Sequence, residues 1–333
     1  MSEKLTIKDI AELAQTSKTT VSFYLNGKYE KMSKETRERI KRVIQETNYK
    51  PSVVARSLNS KNTKLLGVLI GDITNAFSNQ IVKGIENTAH KKGYQVIIGN
   101  SNYEQDSEDR YIESMLMLGV DGFIIQPTAN FRKYSRIIEE KKKHMVFFDS
   151  QLYEHRTSWI KTNNYDAVYD TTQVCIQKGY KNFILITADT SRLSTRIERA
   201  TGFIDALSDA NQTYTDLIIS DEGSDIEEIK TFLTSSVDIN EKTLVFVPNC
   251  WALPLVFNAM KELEFPIPQV GILGFDNTEW TNFSSPTVTT IVQPAFEEGV
   301  QATKMLIDQI EGTNKEEKQQ VLDCTVHWKE SIL

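Results

Sequence analysis

Within DTSRLSTRIERATGF, residues 189–203, three arginines fall inside eight positions: Arg192, Arg196 and Arg199. On a helix capped by Ser194 or Thr195, Arg196, Arg199 and Phe203 lie near one face, and the N–H groups of the first turn add partial positive charge. A guanidinium grips a carboxylate or phosphate bidentately, so this segment reads as a grip for an anion. The alternative is that Arg192 and Arg196 face solvent and pair with Glu198 or Asp189. Groups suited to covalent chemistry are scarce. The four histidines (His90, His144, His155, His327) have no sequence partner for acid–base or metal work, and neither a Gly-rich phosphate loop nor a nucleophile elbow occurs. Cys175, Cys250 and Cys324 lack paired spacing and read as reduced core residues. Ligand binding is the chemistry expected, with no enzyme activity, no metal and no cofactor.

The elements that must position these groups alternate after residue 64. Continuous apolar runs suit buried parallel strands at 65–70, 94–100, 120–126, 144–149, 183–188, 216–220, 243–249 and 269–275. Helices are expected near 78–91, 106–118, 132–142, 165–177, 195–209, 225–235 and 251–263. Such alternation with short loops implies parallel sheets and right-handed crossovers, and about 270 residues divide better into two sheets than one. Open α/β sheets bind ligands beyond the carboxyl ends of their strands, where Asp72, Gln126, Asp149, Asn249 and Asp276 stand. Carboxylates and amides there suit a ligand rich in hydroxyls. Each could instead cap a helix or shape a turn, Asp72 above all, in DITN. Trp251 and Trp280 could stack on a sugar face or simply pack.

The first sixty residues follow another pattern. Thr6 can cap a short helix through Ile7, Ile10, Ala11 and Ala14, and Gln15-Thr16 makes a tight turn. Ser17 caps a second helix to about Leu25, with Val21 and Leu25 inward and Lys18, Thr19 and Phe23 on the exposed face. Asn26-Gly27 ends it, and Ser33 opens a third helix through Ile40, Val43 and Ile44. Two short helices across a tight turn form a helix-turn-helix, whose second helix is shaped for the DNA major groove. After Pro51, SVVARSLNS reads as a small-residue helix with one exposed leucine, Leu58. Charge agrees: residues 1–61 hold thirteen Lys/Arg against seven Asp/Glu, whereas the remainder holds twenty-five against thirty-eight. A basic head on an acidic body is what phosphate contacts need.

TIKDIAELA, SKTTVS, LNG, ETRERI and above all NYKPSVVARSL resemble the N-terminus of the LacI/GalR family of bacterial transcription regulators. DITNAFSNQIVKGIE, GFDNTEW and TTIVQP carry the resemblance more loosely along the whole chain. It implies an all-α helix-turn-helix head (residues 1–50), a hinge helix or linker (51–61) and an α/β body like the periplasmic sugar-binding proteins. The body would have two lobes with parallel sheets, 62–161 with 292–322 and 162–291 with 323–333, crossing near 160–164, 291–294 and 320–325. The resemblance further implies a repressor acting as a homodimer on double-stranded, pseudo-palindromic operator DNA, with a small-molecule effector, a sugar or sugar acid, between the lobes. To Lys18, Thr19 and Phe23 it adds Thr6, Ser17, Thr20, Ser22, Asn26 and Ala55 as DNA contacts, with Leu58 as a wedge in the minor groove. To Gln126, Asp149, Arg196, Asn249, Trp251 and Asp276 it adds Phe77, Ser78, Thr195 and Gln293 as effector contacts. Arg199 takes the place of an arginine that many members use on the sugar. DTSRLSTRIERATGF with GFDNTEW is similar to the regulators of 2-keto-3-deoxygluconate metabolism.

Three departures stand out. Phe23 replaces the arginine most members carry, which exchanges a bidentate guanine contact for an apolar one and predicts a different operator preference. Gln15-Thr16 stands where Gly-Val is usual, and Cys250-Trp251 follows Asn249 where an acidic residue is frequent. Competing readings are a regulator controlled by a partner protein and a transport binding protein. No apolar run reaches membrane-spanning length, and MSEKLTIKDI lacks a signal peptide's apolar core, so a cytoplasmic protein with no membrane partner is expected. No leucine heptad follows the last strand, so a dimer is expected rather than a coiled-coil tetramer.

Overall fold

The computed structural model describes residues 5–25, 27–49, 62–128, 131–150, 157–220, 223, 225–276, 279–313 and 316–332. They belong to two compact units that divide after Thr63. Asn26 and the expected hinge helix, with Ala55 and Leu58, lie outside the described residues.

The first unit is built from α1 (Ile7–Leu13), α2 (Lys18–Leu25) and α3 (Lys34–Thr47). Thr6 closes a capping box with Asp9: its N–H donates to Asp9 Oδ2 at 2.6 Å, and its hydroxyl oxygen accepts the Asp9 N–H. Ser17 and Ser33 each accept a backbone N–H three residues on, from Thr20 and Thr36. The three helices close on Ile10, Ala11, Ala14, Val21 and Ile40. The turn between α1 and α2 forces Gln15 into the left-handed region, at φ 48°. That conformation is where glycine is comfortable and a side chain is not, which gives a physical reason for the glycine common at this place.

In the second unit the strands are β1 (Leu65–Ile70), β2 (Gln95–Asn100), β3 (Gly122–Ile125), β4 (His144–Phe148), β5 (Ser158–Thr162), β6 (Asn182–Ala188), β7 (Thr215–Ile219), β8 (Thr243–Val247), β9 (Val270–Phe275), β10 (Thr289–Val292), β11 (Gln319–Leu322) and β12 (Thr325–His327). They form two six-stranded sheets, ordered β11-β5-β4-β3-β1-β2 and β12-β10-β9-β8-β6-β7. Every pairing is parallel except β10 with β12, an antiparallel edge of the kind mixed sheets often carry. The chain leaves the first sheet after β5, returns after β10 and leaves again after β11. The inner strands β1, β3, β4, β6, β8 and β9 are apolar and almost wholly buried, as strands covered on both faces require, whereas the edge strands β2, β7, β11 and β12 are partly exposed.

Two helices fix the first lobe. Helix α4 (Ala76–Lys91) meets a long helix that the sequence reading passed over, Ala295–Glu311. They touch at Gly84 and Gly299, where an added Cβ would lie 2.1 Å from the Phe296 carbonyl oxygen and 2.2 Å from that of Ile81. This contact holds Phe77 and Glu298 at the strand ends of the lobe.

Candidate functional site

A cavity of about 50 Å³ lies beyond the carboxyl ends of β3 and β4 in one sheet and of β8 and β9 in the other. Both lobes present it with the same device. In the first, Gln126 follows β3 and its Oε1 accepts the Gly71 N–H at 2.9 Å, which leaves its amide to donate to Asp149 Oδ2 at 2.7 Å. In the second, Asn249 lies just beyond β8, and its Oδ1 accepts the Ala188 N–H at 2.9 Å. Asp149 and Asp276 are each the first residue past their strands, and each adopts positive φ, 63° and 54°. Non-glycine residues tolerate that conformation at a cost, and aspartate is among those that do so best. The left-handed step turns the chain immediately, so each carboxylate stays over the strand ends.

The arginines come from the helix Ser194–Asp209. Contrary to the expected Ser or Thr cap, the helix starts at Ser194 itself and Leu193 at its N-cap makes no side-chain capping bond; a 3-10 turn at Thr190–Arg192 leads into it. Arg196, Arg199 and Phe203 are all buried. The Arg199 guanidinium donates to Asn164 Oδ1 (2.8 Å), the Pro248 carbonyl (2.9 Å) and Gln293 Oε1 (2.7 Å), and lies 3.7 Å from the centre of the Phe275 ring. Arg196 donates to the Asp189 carbonyl at 3.0 Å and lines the cavity. Glu198, the expected partner of a solvent-facing arginine, is engaged instead by Lys161.

Electrostatics follow from burial. Asp276 is pushed up to about 6 by loss of water, against the pull of Arg199 and the Gln293 N–H. Burial likewise raises Asp149, opposed by Arg199 and Gln126. Glu298 sits behind Asp149, accepts its N–H at 2.7 Å, and is raised by burial and by the Asp149 charge. Asp149 Oδ1 and Glu298 Oε2 are buried without a hydrogen-bond partner among the described residues. An orphan acceptor at the cavity wall is a place for a ligand hydroxyl.

The structure therefore brings together Phe77, Gln126, Asp149, Thr195, Arg196, Arg199, Asn249, Trp251, Asp276 and Gln293 around one cavity. It does not bring Ser78 there: that residue is fully buried in the first turn of α4, with the preceding Phe77 reaching the cavity in its place. Asp72 shapes its turn, its Oδ1 accepting both the N–H and the hydroxyl of Thr74. Trp280 packs on Phe257, ring centres 5.5 Å apart, and lines a neighbouring cavity. Sequence reasoning missed Asn75, Tyr103, Leu193 and Cys250 as lining residues. Tyr103 comes from a loop with two consecutive left-handed residues, Asn102 and Tyr103, and its ring lies where any Cβ on Gly71 would be, 2.1 Å away. The Cys250 thiol donates to Asn75 Oδ1 at 3.3 Å, bridging the lobes, and burial pushes it up to about 12.

In the first unit Lys18 and Thr19 are exposed at the start of α2, and Ser22 and Phe23 are half-buried. Phe23 is absent from the apolar cluster, whereas its neighbours Tyr24 and Leu25 pack against it. Thr6, Ser17 and Thr20 stand at helix starts, their hydroxyls engaged in caps or with one another. This is a helix-turn-helix whose second helix exposes Lys18 and Thr19 at its start. Residues 6–52 match the pattern of bacterial regulatory proteins of the lacI family, and residues 63–331 match periplasmic binding proteins and the sugar-binding domain of the LacI family. The chain belongs to the LacI family. It is 31% identical to the HTH-type transcriptional regulator KdgR of Bacillus subtilis (strain 168) over 98% of this chain and 97% of that protein. Its fold is that of the lac repressor dimer bound to operator and the anti-inducer ONPF, with TM-score 0.84 at 20% identity over 99% and 100% of the two chains. A transcriptional regulator CelR–cellobiose complex superposes with TM-score 0.71 at 21% identity, over 98% of this chain and 99% of that one. This LacI-family chain is thus a DNA-binding transcriptional regulator with a two-lobed ligand-binding body.

Proposed function

We propose that the effector is a sugar acid, held by its carboxylate at Arg196 and by its hydroxyls between Gln126, Asp149, Asn249 and Asp276, and that it modulates repression by a homodimer on a pseudo-palindromic operator. One observation carries the reading: two arginines one helical turn apart are both buried and both line the same cavity. Arg199 is occupied on all three nitrogens, so it positions Gln293 and neutralises the aspartates. We assign the anion to Arg196, which lines the cavity while also donating to the Asp189 carbonyl. Relatives whose names record sugar operons or sugar complexes support a carbohydrate ligand. The cavity binds its ligand and does not transform it.

Isothermal titration of the full chain with D-gluconate, 2-keto-3-deoxygluconate and neutral hexoses tests this. The acids should bind at least tenfold tighter, and Arg196→Ala should erase that preference by removing a charge-assisted contact worth about 1.5–3 kcal/mol. Neutral hexoses binding as well as their acids would overturn the reading.

For the dimer, the supporting observation is the uncovered apolar surface of two edge strands and a helix beside one of them. Ile98 on β2 and Ile218 on β7 are exposed, as are Met117 and Leu118 in the last turn of the helix Gln105–Leu118, which packs beside β2. Such edges invite a partner, and a second copy satisfies both at once. Lys18, Thr19 and Phe23 are the proposed base readers. Phe23→Arg should change the preferred bases in a selected binding-site logo, and an unchanged logo would refute their role.

A further inference from the structure

Another cavity, of about 450 Å³, shares no lining residue with the polar one, yet a closed ring of contacts joins the two. Lys161, the penultimate residue of β5 in the first lobe, pairs with Glu198 on the Ser194–Asp209 helix of the second. The other Glu198 oxygen accepts the Asn164 amide at 3.4 Å, and Asn164 Oδ1 accepts the Arg199 Nε–H at 2.8 Å. Arg199 donates in turn to Gln293, whose own amide donates to Thr162 Oγ1 at 2.8 Å, next to Lys161. Lys161, Thr162, Asn164 and Glu198 line the outer cavity, whereas Arg199 and Gln293 line the polar one. The ring therefore forms the wall between them, and its Lys161–Glu198 link crosses from lobe to lobe. At 15% and 17% exposure that pair has given up most of its hydration, so losing either partner strands a buried charge.

We propose that Lys161 and Glu198 are positioning residues for the effector site: a latch across the hinge that holds the lobes together and, through Asn164, sets the Arg199 guanidinium. Neither residue touches the polar cavity. Moving the first lobe away carries Lys161 from Glu198 and loosens Glu198 against Asn164, so lobe position and the orientation of Arg199 are coupled through one hydrogen-bond network. This rests on reading the polar cavity as the effector site, but its test uses no effector, so its failure leaves that reading standing.

Native cysteines supply the readout. Cys250 reaches across the lobes to Asn75, whereas Cys175 is fully buried inside the second lobe. Pulsed iodoacetamide labelling of the ligand-free full chain, resolved cysteine by cysteine in a mass spectrometer, is compared for the native chain, Lys161→Met, Glu198→Met and the double variant, with urea denaturation alongside. Each single substitution should speed Cys250 labelling about fivefold or more and leave Cys175 unchanged. Each should also lower stability, because the partner's charge stays buried. Replacing both removes the stranded charge, so the double variant should regain stability while Cys250 remains fast. A purely structural ion pair gives the other pattern, with labelling that follows stability. An unchanged Cys250 rate in the single variants, a native rate in the double, or Cys175 rising in step with Cys250 would overturn the proposal. If a single variant fails to fold, the double decides: fast Cys250 with slow Cys175 supports the latch whatever its stability, and a native Cys250 rate overturns it.

Discussion

In each lobe an amide follows the middle strand and accepts the backbone N–H at the adjacent strand end, and an aspartate in the left-handed region follows the next strand. The scaffolds match, but the side chains added to them do not. The second lobe contributes Arg196 and Arg199 on one helix, while the first contributes Tyr103 and, behind Asp149, the buried Glu298. A repeated backbone device gives both lobes a way to hold hydroxyls. The unrepeated additions decide the sign of charge and the size of what fits. The positive charge at the cavity comes from the second lobe, and both lobes supply carboxylates that burial drives toward their neutral forms.

The largest effect should come from removing the group on which this asymmetry depends. Arg199→Ala leaves Asn164, Gln293 and the Pro248 carbonyl without their donor and two aspartates without their cation. We expect a loss of about 3 kcal/mol or more in urea denaturation of the body, with Arg199→Lys recovering only part. A change below about 1 kcal/mol would show that the network is not what fixes the second lobe.

Next in size is the pH dependence. A carboxyl raised on folding binds its proton more tightly in the native state. Its contribution to stability is fully present below its ordinary value near 4 and is lost as pH rises through about 6. The ligand-free body should therefore melt at lower temperature at pH 7 than at pH 5, with Asp276 alone accounting for about 1 kcal/mol between those two values. Asp276→Asn should flatten the profile in scanning calorimetry; an unaltered profile would place the titration elsewhere.

The smallest effect contrasts body and head. Both use left-handed non-glycine residues, but those of the body present carboxylates to the cavity, whereas Gln15 merely turns the chain. Gln15→Gly should stabilise the head by about 1 kcal/mol, while glycine at Asp149 or Asp276 should abolish ligand binding. A destabilised Gln15→Gly head would show that this side chain has a role beyond the turn.

Much of this arrangement is legible in the sequence. Strand ends are visible as the ends of apolar runs, so Gln126, Asp149, Asn249 and Asp276 could be placed by position alone. Helical spacing put Arg196 and Arg199 on one face. Of the neighbouring pair Phe77 and Ser78, both expected at the cavity, the turn before α4 sends only Phe77 there and leaves Ser78 buried in the helix. Tyr103 left no periodic signal: its loop is set by backbone conformation and by space over Gly71, neither of which the residue type encodes. The solvent-facing alternative for Arg196 could not be dismissed from spacing, since burial of a helix face depends on what packs above it.

Occupancy of the cavity by an acid should change DNA binding by the head. Fluorescence anisotropy of the full chain on a duplex it has itself selected from a random pool measures this directly, with 2-keto-3-deoxygluconate, D-gluconate and neutral hexoses each titrated in. A change of about tenfold or more in the DNA Kd with an acid, absent with the neutral sugars and abolished by Arg196→Ala, is the predicted result. Acids that bind the body while leaving the DNA Kd unchanged would contradict it.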